Sequence, residues 1–178
     1  MKPSTGGNFL ARKADLTKAR MTAPPLSDVL IIEDETFDAD RLRATLHVIF
    51  GYEIEVRRAK TLGSALDAVI ERKPEIIFLD DYLKPNDNAT QTIPFLRRCG
   101  YVGPIVVVSG AADRQRRTTL LRAGAADVIH KDDLDSSRVS EALLRIRMAG
   151  SAKAGSGPEA SPASTAPTAS TPEPDERG

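Results

Sequence analysis

A chain of 178 residues with 40% hydrophobic content has the material for one folded domain with tails. Its 25 basic and 25 acidic residues cancel, so no global field draws it to nucleic acid or an anionic membrane, and any charge argument has to be local. The only cysteine, Cys99, excludes an internal disulfide and a cysteine-rich metal site, as expected of a cytoplasmic protein. No apolar run approaches a membrane span, and the N-terminus lacks the apolar core and cleavage site of a secretory signal.

Residues 1–26 carry Lys2, Arg12, Lys13, Lys18 and Arg20 against Asp15 alone, and are expected to be a disordered basic leader. A short amphipathic helix through Phe9, Leu10, Leu16 and Met21 is the other reading. The folded part begins at Ser27, where the apolar run Val29 to Ile32 predicts a buried strand that empties into Glu33, Asp34 and Glu35. Helical spacing of Phe37, Leu42, Leu46 and Ile49 follows, stopped by Gly51. The segment 53–57 alternates Ile54 and Val56 with charges, the pattern of a strand nearer an edge. Residues 61–73 return to helical spacing through Leu62, Ala65, Leu66, Val69 and Ile70.

The stretch from Pro74 to Pro85 is a second buried run, Ile76 to Leu79, ending in the carboxylates Asp80 and Asp81. A loop at 86–88 leads into a short helix, Thr92 to Arg98, in which Pro94 is acceptable only within the first turn. A fourth strand, Ile105 to Val108, ends in Ser109 and Gly110. The helix over 112–123 is expected to turn Leu120 and Leu121 inward, with Arg114, Arg116, Arg117 and Arg122 mostly outward. A fifth strand ends in Lys131, and a last helix runs from about Ser136 to Met148. From Gly150 the Ala, Ser, Thr and Pro composition has no apolar periodicity, so 150–178 reads as a disordered tail.

Five strands alternating with five helices specify an α/β domain over 27–149, most simply a doubly wound parallel sheet whose strand ends share one rim. That rim collects Glu33, Asp34, Asp80, Asp81, Ser109 and Lys131. The plain alternative is a set of turn and capping residues, which their joint placement argues against. Crowded carboxylates repel one another, and a hard divalent cation with oxygen ligands, Mg²⁺ by its usual chemistry, relieves that repulsion. A carboxylate beside such an ion can attack phosphorus, while an ammonium and a hydroxyl stabilise the equatorial oxygens.

These residues resemble the receiver domain of two-component response regulators, over about residues 27–149. The resemblance implies a flavodoxin-like five-stranded sheet of order 2-1-3-4-5, an aspartyl phosphate, Mg²⁺, and a histidine kinase or histidine phosphotransfer protein as donor. It assigns Glu33 and Asp34 to the acidic pair, Asp80 to the phosphoacceptor and third metal ligand, Ser109 to the hydroxyl position and Lys131 to the lysine. The family usually places a proline four residues after its aspartate, which would favour Asp81, because Pro85 lies five after Asp80. The step from Pro74 through the strand and the apolar Leu83 three residues on favour Asp80, leaving Asp81 as the alternate.

Other departures concern Glu33, Val128 and Asp132. Glu33 is one methylene longer than the usual aspartate, which fits binding of Mg²⁺ through water. Val128 replaces an aromatic residue three before the lysine, and Asp132 replaces the usual proline after it, so neither a rotating aromatic nor a cis-peptide turn at Lys131 is implied. Tyr82 is placed to shade a phosphoryl group on Asp80 from water. No second folded segment follows Met148 in this sequence, so the expected role is a stand-alone response regulator, with self-catalysed phosphorylation and dephosphorylation only. Its output would pass through contact with an unidentified downstream protein, with neither nucleic acid nor membrane as partner. The rival readings are a receiver-shaped binding module that works without phosphorylation, and an aspartyl-nucleophile phosphatase. Thr36, where such phosphatases carry a second aspartate, weighs against the latter.

Overall fold

A computed structural model describes residues 25–154; the basic leader and the Ala/Ser/Pro/Thr-rich tail lie outside them apart from their inner edges. In chain order the elements are β1 (Asp28–Ile32), α1 (Thr36–Phe50), β2 (Glu55–Ala59), α2 (Leu62–Glu71) and β3 (Ile76–Asp80). A two-residue hairpin follows, β4 (Tyr82–Leu83) and β5 (Asp87–Asn88), then α3 (Ala89–Arg98), β6 (Ile105–Ser109), α4 (Arg114–Arg122), β7 (Asp127–His130) and α5 (Ser136–Ala154). A single 3₁₀ turn, Lys131–Asp133, joins β7 to α5.

Five strands form one parallel sheet in the order β2-β1-β3-β6-β7, which is the expected 2-1-3-4-5 once the hairpin strands are left out of the count. The apolar runs are continuous because both faces are covered, and the period of two sorts them. Leu30, Ile32, Ile77, Leu79, Ile105 and Val107 pack under α2, α3 and α4 with Val69, Ile93 and Leu120. Val29, Ile31, Phe78, Val106, Val108 and Ile129 face α1 and α5 with Leu42, Leu46, Val139 and Leu143. β2 is an edge strand, as its charged alternation predicts. Arg57 on it grips Asp28 of β1 with two hydrogen bonds of 2.9 Å and ties the carbonyls of Ala68 and Arg72 to the sheet.

The structure departs from the periodicity in several places, among them Ile70 of α2, which is exposed. The inward stripe of α1 is Ala39, Leu42, Leu46 and Ile49, and Phe37 is 78% exposed, since two residues before Ala39 lies about 200° round a helix. Helix α3 starts three residues earlier than its apolar spacing suggests, because the Asn88 side chain accepts the backbone N–H of Gln91 and caps it. Pro94 therefore stands beyond the first turn, and the hydrogen bond it lacks is one to the Thr90 carbonyl. In α4 Leu120 is buried but Leu121 is partly exposed, and Arg116 and Arg117 turn onto Asp81 and Asp127 instead of into solvent.

Candidate phosphoacceptor site

The carboxyl ends of the strands deliver the site. β1 stops at Ile32, so Glu33 and Asp34 emerge at the rim, and Arg58 of β2 holds that turn by its backbone, donating to the Glu33 carbonyl at 3.0 Å and the Asp34 carbonyl at 2.8 Å. Oε1 of Glu33 accepts the Glu35 N–H at 2.9 Å, which fixes the side chain over the start of α1. β3 ends on Asp80 itself, buried at 7% exposure. Lys131 follows β7 directly, and Arg41 of α1 pins its loop by donating to the carbonyls of Lys131 (2.8 Å) and Leu134 (3.3 Å).

The Lys131 ammonium sits among three carboxylates: 2.7 Å from Asp38 Oδ2, 3.0 Å from Asp80 Oδ1 and 3.1 Å from Glu33 Oε2. Burial alone would lower its pKa; the hydrogen bonds it donates to Asp38 and Asp80 and the charge of Asp80 outweigh that and hold it above the ordinary lysine range. Asp80 moves the other way. Burial, and then the negative charge of Glu33, push its pKa up to about 6, against the pull of Lys131. One cation therefore serves three acids, and Asp80 carries the imbalance.

Glu33, Asp34 and Asp80 each place an oxygen within 4.8 Å of the other two. Three hard oxygen donors that converge with a deficit of positive charge fit Mg²⁺, which takes few protein carboxylates and keeps waters or phosphate oxygens. Lys84 approaches the same rim from the hairpin, its ammonium 3.6 Å from Asp34 Oδ2 and in close contact with Glu35.

Asp81 has a different environment. It is fully buried, Arg116 clamps both its oxygens, with Nε 2.9 Å from Oδ2 and Nη2 in close contact with Oδ1, and the Ser109 hydroxyl donates to Oδ2 at 2.8 Å. Its backbone is committed as well, its N–H to the Val108 carbonyl and its carbonyl to the Ala89 N–H. Of the residues picked from sequence, Glu33, Asp34, Asp80 and Lys131 gather in one cluster, whereas the Ser109 hydroxyl is directed to Asp81. Leu83 is buried and Lys84 is exposed, in keeping with a frame counted from Asp80. Val128 is buried in β7 as part of the core. Two partners escaped the sequence reading, Asp38 and Arg116. Asp38 lies in the first turn of the helix that starts at this rim, and Arg116 stands three residues after Asp113, the N-cap of α4, positions that put both beside the strand ends.

The response regulator receiver domain family matches residues 29–143. The chain belongs to that family. Receiver domains are signalling domains of two-component systems, typically phosphorylated by a kinase, and they generally bind Mg²⁺ at an acidic cluster. The receiver is 30% identical over 105 residues to the nitrogen assimilation regulatory protein NtrX of Azorhizobium caulinodans, covering 58% of this chain and 22% of that protein. It is 25% identical over 119 residues to the probable C4-dicarboxylate response regulator DctR of Priestia megaterium, covering 67% and 51%. The chain thus spans about a fifth and about half of these two relatives.

Among solved structures, the receiver domain of a Luxo repressor protein from Vibrio parahaemolyticus shares the fold, with a TM-score of 0.60 at 19% identity over 74% of this chain and 99% of that one. The receiver domain of NtrX from Brucella abortus is 27% identical with a TM-score of 0.55, over 66% and 98%. Among the described residues, no helix of the receiver is long and apolar enough to cross a membrane.

Proposed function

We propose that Asp80 accepts a phosphoryl group from the phosphohistidine of a histidine kinase or histidine phosphotransfer protein, and that the modified rim changes the affinity of the domain for a downstream protein. The observation that carries this reading is the contrast between two adjacent acids: Asp80 lies in the acidic cluster 3.0 Å from Lys131, whereas both oxygens of Asp81 are taken by Arg116 and Ser109.

In the transfer, an ionised Asp80 oxygen forms the new O–P bond as the P–N bond of the donor breaks, and the electron pair of that bond stays on the imidazole nitrogen. A pKa of about 6 leaves Asp80 mostly ionised at neutral pH and able to act as nucleophile. Lys131, already 3.0 Å from Asp80 Oδ1, supplies an ammonium to the phosphoryl oxygens, and Asp38 and Glu33 keep it protonated and in place. Glu33, Asp34 and Asp80 would hold Mg²⁺, which when bound neutralises charge on the phosphoryl oxygens. The ring of Tyr82, two residues beyond Asp80, is exposed and would shade an acyl phosphate there from water.

Incubation with a phosphorylated histidine donor and Mg²⁺ tests the assignment. Asp80→Asn is expected to lose labelling and Asp81→Asn to keep it. Labelling that survives in Asp80→Asn and disappears in Asp81→Asn would move the site by one residue.

A further inference from the structure

The Ser109 hydroxyl has one proton, and in this structure it is committed. It is donated to Asp81 Oδ2 at 2.8 Å, while Ser109 Oγ accepts the Ala111 N–H at 3.1 Å. The geometry is set by the sheet: Asp80 pairs with Val108 in the β3–β6 register, so the next residues along, Asp81 and Ser109, meet side by side. Arg116 adds a two-pronged clamp that fixes Asp81 in place, and its guanidinium lies 5.1 Å from the centre of the Tyr82 ring. The Ser109 proton is therefore held by a fully buried carboxylate that cannot easily swing away.

A phosphoryl group on Asp80 presents only acceptor oxygens, so Ser109 can donate to it only by giving up Asp81. We propose that Asp81 is a positioning residue that competes with the phosphoryl group for the Ser109 proton, and so sets how far phosphorylation of Asp80 proceeds. The competition is tolerable because Asp81, on losing Ser109, still has both oxygens bonded to Arg116 and is not left as an unpaired buried charge. This rests on Asp80 as phosphoacceptor, and adds that the neighbouring acid acts on the reaction through Ser109 without touching phosphorus.

The test is the fraction of protein phosphorylated at steady state with acetyl phosphate and Mg²⁺. Asp81→Asn presents a weaker acceptor to the hydroxyl and is expected to raise the ratio of phosphorylated to unphosphorylated protein about three- to tenfold, the scale of part of one charge-assisted hydrogen bond. Asp81→Ala is expected to act in the same direction, and serves if the asparagine variant does not fold. Ser109→Ala should lower the ratio and, combined with either Asp81 variant, should abolish the gain; a purely structural role for Asp81 would leave the gain intact in that background. An unchanged or lowered ratio in Asp81→Asn, or a gain that persists without Ser109, overturns the proposal while leaving Asp80 as acceptor. A wild-type protein that takes no label on Asp80 overturns that assignment and the proposal together.

Discussion

Two buried aspartates at opposite rims of the sheet are treated in opposite ways. Asp127 opens β7 at the amino ends of the strands, 3% exposed, and receives Arg117 at 2.6 Å, a close contact from Arg145 that reaches 3.2 Å through Nε, and the Val128 N–H at 2.8 Å. Burial opposes its ionisation, but the hydrogen bonds from Arg145, Val128 and Arg117 outweigh burial and hold its pKa below the usual aspartate range. Asp80, at the carboxyl ends, shares one ammonium with Glu33 and Asp38 and has its pKa raised. The structural acid is over-supplied with donors, and the proposed reactive one is left short of them, which on that proposal leaves room for charge arriving from outside.

The largest expected effect breaks the structural half of this contrast. Asp127→Ala leaves two arginines without their acid and should cost ~2–4 kcal/mol in denaturant unfolding, toward the lower part of the range for buried pairs because both arginines are partly exposed. Because the folded pKa of Asp127 is depressed, its contribution is present above the unfolded aspartate pKa and is lost as pH falls through the folded one. A loss below 1 kcal/mol at pH 7 would show that the clamp does little.

The reactive half predicts the reverse sign. Asp80 has a folded pKa raised from 3.8 to about 6, so the folded state binds its proton more tightly than the unfolded chain, and ionising it destabilises the fold. With a chelator present, Asp80→Asn should match wild type below pH 4, gain stability as pH rises, and level off above pH 6 at ~1–3 kcal/mol. Thermal or urea unfolding across that range checks this, and a variant less stable than wild type at pH 7 would contradict it. A smaller effect is expected at Tyr82, where removing the ring in Tyr82→Ala should shorten the aspartyl-phosphate lifetime by ~2–3-fold, a fraction of a kcal/mol, as for a half-exposed aromatic wall. An unchanged lifetime would remove Tyr82 from the account.

Much of this was readable from the chain because it rests on short-range pattern. The runs 29–32, 76–79 and 105–108 could only be strands covered on both faces, the charges of 53–57 marked an edge, and right-handed crossovers left few topologies. Glu33, Asp34, Asp80 and Lys131 were visible since each directly follows or ends such a strand. The partners of those residues were less legible. Arg116 looked like one of four solvated arginines, and its inward turn depends on a buried carboxylate 35 residues away. Asp38 is one of the polar residues between the apolar positions of α1, and only the sheet order brings Lys131 to it across 93 residues. The proline spacing is a looser ruler than the strand end, because Pro85 sits within the β4–β5 hairpin, whose length moves the proline without moving the strand end.

The central claim is that Asp80, left short of positive charge, and not the satisfied Asp81, takes the phosphoryl group. Labelling the wild-type chain with acetyl phosphate and Mg²⁺, reducing the acyl phosphate with borohydride, and locating the resulting homoserine by peptide mass spectrometry tests it most directly. Modification at position 80 alone is the predicted result; modification at position 81, or at neither, would contradict it.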